Sequence, residues 1–228
     1  ILSMEGKYKH IVKGVNFDII PKYRTSDASG NRIQDNLGSL AENKLFDWFF
    51  SNITSLSTHA QEYLLSLPHE IALIATVENH KDIEFVESKF KPCGFNTSYS
   101  SPLPLSTGGN HGGELIAIKS RYQSKCIPKH IIEHITKEYG DLRFAARIVE
   151  FHNVDVLFIT VYLWCNEGFS VRNNMILYQI LMLKLLLRLP LVGFGDFNIT
   201  YFEFKNSGWA ERLKVSLIHP GLDSTMSG

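Results

Sequence analysis

The chain has little of what marks a secreted, fibrous or membrane-spanning protein. Its 228 residues include only three cysteines, Cys93, Cys126 and Cys165. They are odd in number and widely separated, so neither a disulfide framework nor a zinc knuckle is implied, and a reducing compartment is the simpler expectation. No charge of one sign dominates: Lys+Arg and Asp+Glu are both 23. That balance argues against a broadly basic coat for nucleic acid, while leaving room for a local groove or a metal-bridged phosphate. The N-terminus lacks an apolar signal core, so an intracellular location, nuclear or cytoplasmic, is expected. The longest apolar run, 175–191, is interrupted by Lys184, Arg188 and Pro190. It is too short and too charged to span a bilayer and reads as a buried helix feeding a strand. Internal repeats and low-complexity tracts are absent. What is present is an ordinary 44% of hydrophobic residues, enough for one α/β domain with a sizeable core.

Residues 1–44 show weak periodicity and many turn formers, including Ser26-Asp27-Ala28-Ser29-Gly30-Asn31. They read as an N-terminal arm or linker with a short strand within 8–17. A domain over 45–228 follows. The aromatic-rich stretch 45–53 predicts a strand ending at Asn52. Residues 57–67 have helical spacing, Ser57 or Thr58 as N-cap, and Pro68 as a stop. The continuous apolar run 71–77 predicts a strand buried on both faces, and it delivers Glu78-Asn79-His80 at its end. A helix is expected over 82–90 and a loop over 92–107. Gly112-Gly113 leads into a strand at 114–118. A helix over 128–139 has Pro128 at its start and Gly140 past its end. Strands at 144–152 and 154–162 pair through a tight turn at Asn153, and Tyr162 closes the second. A long apolar helix over 173–189 and a short strand at 191–194 follow, with a last helical piece at 209–213.

The chemistry-bearing stretch is Gly193-Phe194-Gly195-Asp196-Phe197-Asn198. Asp196 and Asn198 are two apart, so on extended backbone they face the same way. The two glycines let another backbone or a phosphate approach closely. A carboxylate beside an amide at a strand end suits a metal-activated hydrolytic site: one holds a cation or takes a proton from water, the other donates to a phosphate oxygen. An isolated motif of this kind reads equally as a β-turn satisfying its own backbone. Four strand ends, however, carry polar groups: Asn52, Glu78, Tyr162 and the Asp196/Asn198 pair. Layered α/β folds bring such ends to one edge, where ligands bind.

In their order these segments resemble the endonuclease/exonuclease/phosphatase superfamily. The matching stretches are Ser51-Asn52-Ile53-Thr54-Ser55-Leu56, Ala75-Thr76-Val77-Glu78-Asn79-His80, Gly112-Gly113-Glu114-Leu115-Ile116-Ala117-Ile118, Val161-Tyr162-Leu163 and Gly195-Asp196-Phe197-Asn198. The resemblance implies a DNase I-like, four-layered α/β/β/α sandwich of two packed mixed sheets with outer helices. It implies metal-dependent phosphodiester hydrolysis, with Mg²⁺ or Mn²⁺ as cofactor. Glu78 would hold the metal with Asn52 beside it, and Tyr162 would hydrogen-bond a phosphate oxygen. Asp196 would orient or deprotonate the attacking water, and Asn198 would contact the scissile phosphate. His80 and His111 lie near the expected edge and are candidates for substrate contact. Nucleic acid is the expected partner, as for a nuclease, possibly one from a mobile element; an inositol-phosphate or lipid phosphatase is the alternative on the same fold. Two departures stand out. Val77 and Asn79 flank Glu78 where the family usually has Gln and Thr. The family's late Asp and terminal Asp-His pair are not found, so the resemblance is to a domain lacking its last strands, and an inactive domain is a third reading. His130-Ile131-Ile132-Glu133-His134 matches an inverted zinc-protease pattern but lacks a downstream acid. Cys165, beside Trp164, reads as a packing residue.

Overall fold

A computed structural model describes residues 11–12, 47–104, 110–151 and 153–217. In chain order these form β1 (Ile11–Val12), β2 (Asp47–Asn52), α1 (Thr58–Leu65), β3 (Ile71–Val77), α2 (Ile83–Phe90), β4 (Phe95–Ser100), β5 (Leu103–Pro104), β6 (Asn110–His111) and β7 (Glu114–Lys119). Then come β8 (Ser124–Lys125), α3 (Lys129–Tyr139), β9 (Phe144–Phe151), β10 (Val154–Tyr162), α4 (Val171–Leu187), β11 (Leu191–Asp196), α5 (Tyr201–Asn206) and α6 (Trp209–Leu213). One sheet has the order β1-β2-β3-β7-β4 and the other β11-β10-β9-β8, with β5 and β6 forming a small ribbon. The first sheet is drawn entirely from residues before the turn at Ser120, and the second entirely from residues after it.

The layers follow from strand periodicity. In β10, Val156 and Phe158 point one way, and Leu157, Ile159 and Val161 the other. The first set meets Trp48, Leu73, Ala75, Ile116, Ile118 and Val149 in a core between the two sheets. The second set packs under Ile135 of α3, Ile176, Leu177, Ile180 and Leu183 of α4, and Phe204, Trp209 and Leu213 of the last two helices. On the far side of the first sheet, Phe49, Ile71, Ile74 and Leu115 meet Leu64 of α1 with Val86 and Phe90 of α2. The result is helices, sheet, sheet, helices, as the resemblance implies. All seven residues of β3 are buried because the strand is covered on both faces.

Several expectations need correction. Residues 92–107 are not all loop: Phe95-Asn96-Thr97-Ser98-Tyr99-Ser100 forms β4, which pairs only with β7 in its sheet. An edge strand can be polar, so it carries no apolar run to betray it. The long helix starts at Val171 because the Ser170 side chain accepts from the Asn173 amide, and it ends at Leu187, with Arg188 in left-handed conformation. The final strand runs two residues further than expected, to Asp196. The stretch after Asn198 includes α5, started by a capping box between Thr200 and Glu203. Of the expected early strand, only Ile11–Val12 falls among the described residues, paired antiparallel with β2. The rest of the 1–44 arm, Leu45, Phe46, His152 and the stretch 218–228 lie outside them. Among the described residues no helix is long and apolar enough to cross a membrane.

Candidate active site

Parallel pairing assembles the site. Strands β2 and β3 run parallel, joined through α1, and β10 and β11 run parallel, joined through α4. Each pair therefore ends at a common edge. Asn52 is the last residue of β2 and Glu78 directly follows β3, whereas Tyr162 and Asp196 are the last residues of β10 and β11 and stand opposite each other in register. The two edges are tied across the sandwich. Asn52 Nδ2 donates to Asp196 Oδ2 at 3.0 Å, and Asn52 Oδ1 accepts from the Thr54 amide at 3.1 Å. The Asn198 amide donates to Asp196 Oδ1 at 3.2 Å, so both carboxylate oxygens are held. Asn198 Nδ2 donates to the Leu163 carbonyl at 2.7 Å. Gly195 earns its place by close approach: a Cβ there would sit 2.6 Å from the Val161 carbonyl oxygen on β10.

The Tyr162 ring is buried, and its hydroxyl faces both the Glu78 carboxylate and the Asn198 amide. Burial first, then the Glu78 charge, push the phenol above its ordinary range, so it stays protonated and can donate at neutral pH. Glu78 itself sits on a tightly determined backbone. Asn79, fully buried, donates through Nδ2 to the Gly113 carbonyl at 2.7 Å and accepts from Thr76 Oγ1 at 2.8 Å. Its own carbonyl accepts from the Leu56 amide at 2.9 Å, and the His80 amide donates to the Gly112 carbonyl at 3.1 Å. The residue that departs from the family pattern thus acts as the anchor of the turn that presents Glu78. Thr54 (φ 57°), Glu78 (φ 59°), His80 (φ 58°) and Asn198 (φ 48°) all have left-handed backbone at this edge. Such conformations cost on the order of 1–3 kcal/mol each and persist where surrounding bonds over-determine them.

The structure brings together all seven sequence-selected residues. His111 packs edge-on to Tyr162, ring centroids 5.3 Å apart, and stacks on Trp164 at 4.4 Å. Burial lowers its imidazole pKa, opposed by the nearby Glu78 carboxylate. His80 adjoins Glu78, and its carbonyl accepts from Asn110 Nδ2 at 3.2 Å. His130 and His134 are exposed on α3, away from any acid cluster, and Cys165 is exposed rather than packed.

Four residues of this region had no sequence reading as functional groups: Glu114, Arg143, Trp164 and Arg172. Glu114 is 0% exposed and Arg143 7%. They flank Gly112, where a Cβ would collide with Arg143 Nη2 and sit 3.3 Å from Glu114 Oε1. A charged residue directly after Gly112-Gly113, heading an apolar strand, was the available signal. Burial pushes the Glu114 carboxyl up to about 7, against the opposing pull of the Arg143 guanidinium. The folded protein therefore keeps this proton after the unfolded chain has released its own near 4.5. Stability from this group is complete below that value and is lost as pH rises through about 7. The expected fall is on the order of 2–3 kcal/mol. Chemical denaturation at pH 4.5, 6 and 8 should show this slope, and Glu114→Gln should flatten it.

The oxygens at this edge are those of the Glu78 carboxylate, which faces the Tyr162 hydroxyl, and those of Asn52 and Asp196, whose side chains are hydrogen-bonded to each other. Among the described residues no three His, Cys, Asp or Glu side chains gather as a metal cage. A cation that keeps most of its waters and needs one or two carboxylates, such as Mg²⁺ or Mn²⁺, fits these oxygens; a closed zinc-type site does not.

No protein-family model matches the chain, and no curated protein does. Solved structures do. The catalytic domain of human Nocturnin, with a bound sulfate anion, superposes with a TM-score of 0.50 at 13% identity, over 70% of this chain and 66% of that one. The endonuclease domain of TRAS1, a telomere-specific non-LTR retrotransposon, gives 0.47 at 11% identity, over 72% of this chain and 68% of that one. Beta toxin 275–280 from Staphylococcus aureus gives 0.47 at 13%, over 74% and 71%. The chain thus spans just under two thirds of the Nocturnin domain, and at these identities the likeness is one of fold. The molecule is a DNase I-like α/β/β/α sandwich, the fold of the endonuclease/exonuclease/phosphatase superfamily that the motif order resembles.

Proposed function

We propose that the chain hydrolyses phosphodiesters, with nucleic acid as substrate and a divalent metal as cofactor. The observation that carries this reading is the Asn52–Asp196 hydrogen bond of 3.0 Å, which brings the acid ends of two sheets to one place. Asp196, held at both oxygens, orients a water and takes its proton as the water attacks phosphorus in line with the departing oxygen. The protonated Tyr162 hydroxyl donates to a non-bridging phosphate oxygen, where negative charge grows. Asn198 keeps the Asp196 loop in position through its bonds to Asp196 and Leu163. Glu78 and Asn52 would hold Mg²⁺, which when bound would polarise the phosphoryl oxygens and offset the developing charge.

The test is conversion of supercoiled plasmid to the nicked form by the purified protein. Nicking should require millimolar Mg²⁺ or Mn²⁺ and fall to background in EDTA. Phosphate release from inositol phosphates without nicking would move the reading to the phosphatase alternative. Inactivity on both would leave a binding or inactive domain.

A further inference from the structure

Trp164 stands two residues beyond Tyr162, at the start of the connection to α4. Its backbone is clamped from both sides by the fully buried Asn173, whose Oδ1 accepts from the Trp164 amide at 2.8 Å and whose Nδ2 donates to its carbonyl at 3.1 Å. The backbone that carries the indole is therefore fixed. Three nitrogen-rich side chains collect on it: the Arg172 guanidinium at 4.4 Å from the ring centroid, the Arg143 guanidinium at 5.5 Å, and the His111 ring at 4.4 Å. Arg143 is 7% exposed, and none of its three guanidinium nitrogens has a hydrogen-bond partner among the described residues. Arg172 faces solvent, its only ion pair among the described residues being a 3.3 Å contact with Glu167 at the surface. Such a pair is weak and easily exchanged. The site edge is therefore bipolar. Glu78 and Asp196 form an acidic side, and a cationic wall around Trp164 begins directly behind Tyr162.

Holding two guanidinium groups against one ring, one of them buried beside the Glu114 carboxyl with no hydrogen-bond partner among the described residues, costs folding free energy. A group that returns it must be negative, accept several hydrogen bonds and reach the wall from a phosphate at Tyr162. We infer that the Trp164 wall is a subsite for a second phosphate of the substrate, adjacent to the one being cleaved, with Arg172 as the contacting and specificity-determining residue. Trp164 acts as the positioning residue that aims Arg172, and Arg143 supplies positive potential from beneath. The inference rests on the phosphodiesterase reading for which phosphate is cut, but not for which is bound. A guanidinium fork suits a phosphate better than an ammonium does, and stacking on the indole prepays its ordering.

The experiment uses the full chain in EDTA, so that binding is read without turnover. Fluorescence anisotropy would compare a labelled dinucleotide carrying a terminal phosphate with the same dinucleotide lacking it, for wild type, Arg172→Ala and Arg172→Lys. Wild type should bind the phosphorylated probe about tenfold more tightly. Arg172→Ala should erase the difference while leaving the weaker probe unchanged, and Arg172→Lys should restore part of it. Competition with inositol bisphosphate separates the source: displacement at equal concentration points to a small-molecule phosphate, and its absence to a nucleotide strand; both retain the subsite. Equal binding of the two dinucleotides by wild type, or a preference that survives Arg172→Ala, overturns it. Discrimination that persists in a protein unable to nick plasmid would reject the catalytic reading and keep the subsite.

Discussion

Asp196→Ala should lower Mg²⁺-dependent nicking by about a thousandfold, the size expected when a positioned proton acceptor is removed. The carboxylate receives Asn52 Nδ2 on one oxygen and the Asn198 amide on the other. Truncation removes the group that aims the water and also releases Asn52 from its cross-sheet bond. Asp196 is half-buried at the end of an edge strand, so its loss should leave the circular dichroism spectrum and thermal midpoint close to wild type. Asp196→Asn is the sharper variant. It keeps the shape but cannot take a proton, and it should be as inactive as the alanine. Initial nicking rates under saturating metal, beside the unfolding curve of the same preparation, decide the matter. A variant that nicks like wild type would remove Asp196 from the chemistry.

Phe158→Ala should cost about 3–5 kcal/mol of folding stability, the range for emptying a buried aromatic site. Phe158 is 0% exposed at the centre of the layer between the sheets. Its ring lies 5.6 Å from Phe151, 6.2 Å from Phe194 and 6.4 Å from Trp48, measured between centroids. Phe194 belongs to β11, so the same ring packs against the strand that carries Asp196. The backbone on both sides is fixed by strand pairing, so little collapse can fill the space. Guanidinium denaturation should show a lower midpoint with an unchanged slope. A loss under 1 kcal/mol would mean that the inter-sheet layer repacks freely.

What could be read from the residues divides along physical lines. The β3 run was legible because a strand covered on both faces must be apolar throughout. Helix α1 was legible because Ser57 is a side-chain cap standing in the chain where a helix must begin, and α2 because Ile83, Phe85, Val86 and Phe90 fall at helical spacing. The convergence of polar strand ends was legible because parallel pairing sends them to one edge, and Asn52, Glu78, Tyr162 and Asp196 do meet there. Strand β4 escaped because its membership is decided by β7, not by its own composition. Helix α5 escaped although Thr200 and Glu203 spell out its capping box, because the aromatic residues around them carry no clean helical period. The Trp164 wall had no local signature at all: His111 comes from β6, Arg143 from the connection before β9 and Arg172 from the first turn of α4, and stacking on one indole leaves no spacing rule behind. Glu114 and Arg143 were hidden for a related reason, since a charged residue at the head of an apolar strand or just before one reads as solvent-facing until the fold covers it.

The division of the sandwich at Ser120 has a consequence for how the molecule could be taken apart. Asn52 and Glu78 lie in the half that makes the first sheet, Tyr162 and Asp196 in the half that makes the second. Neither half holds all the residues of the candidate site. Cleaving the backbone in this turn would yield two fragments, each with one unsatisfied apolar face, and the proposed nicking would be expected only when those faces found each other again. The protein is in that sense its own complementation pair, with the proposed nicking as the signal of reunion.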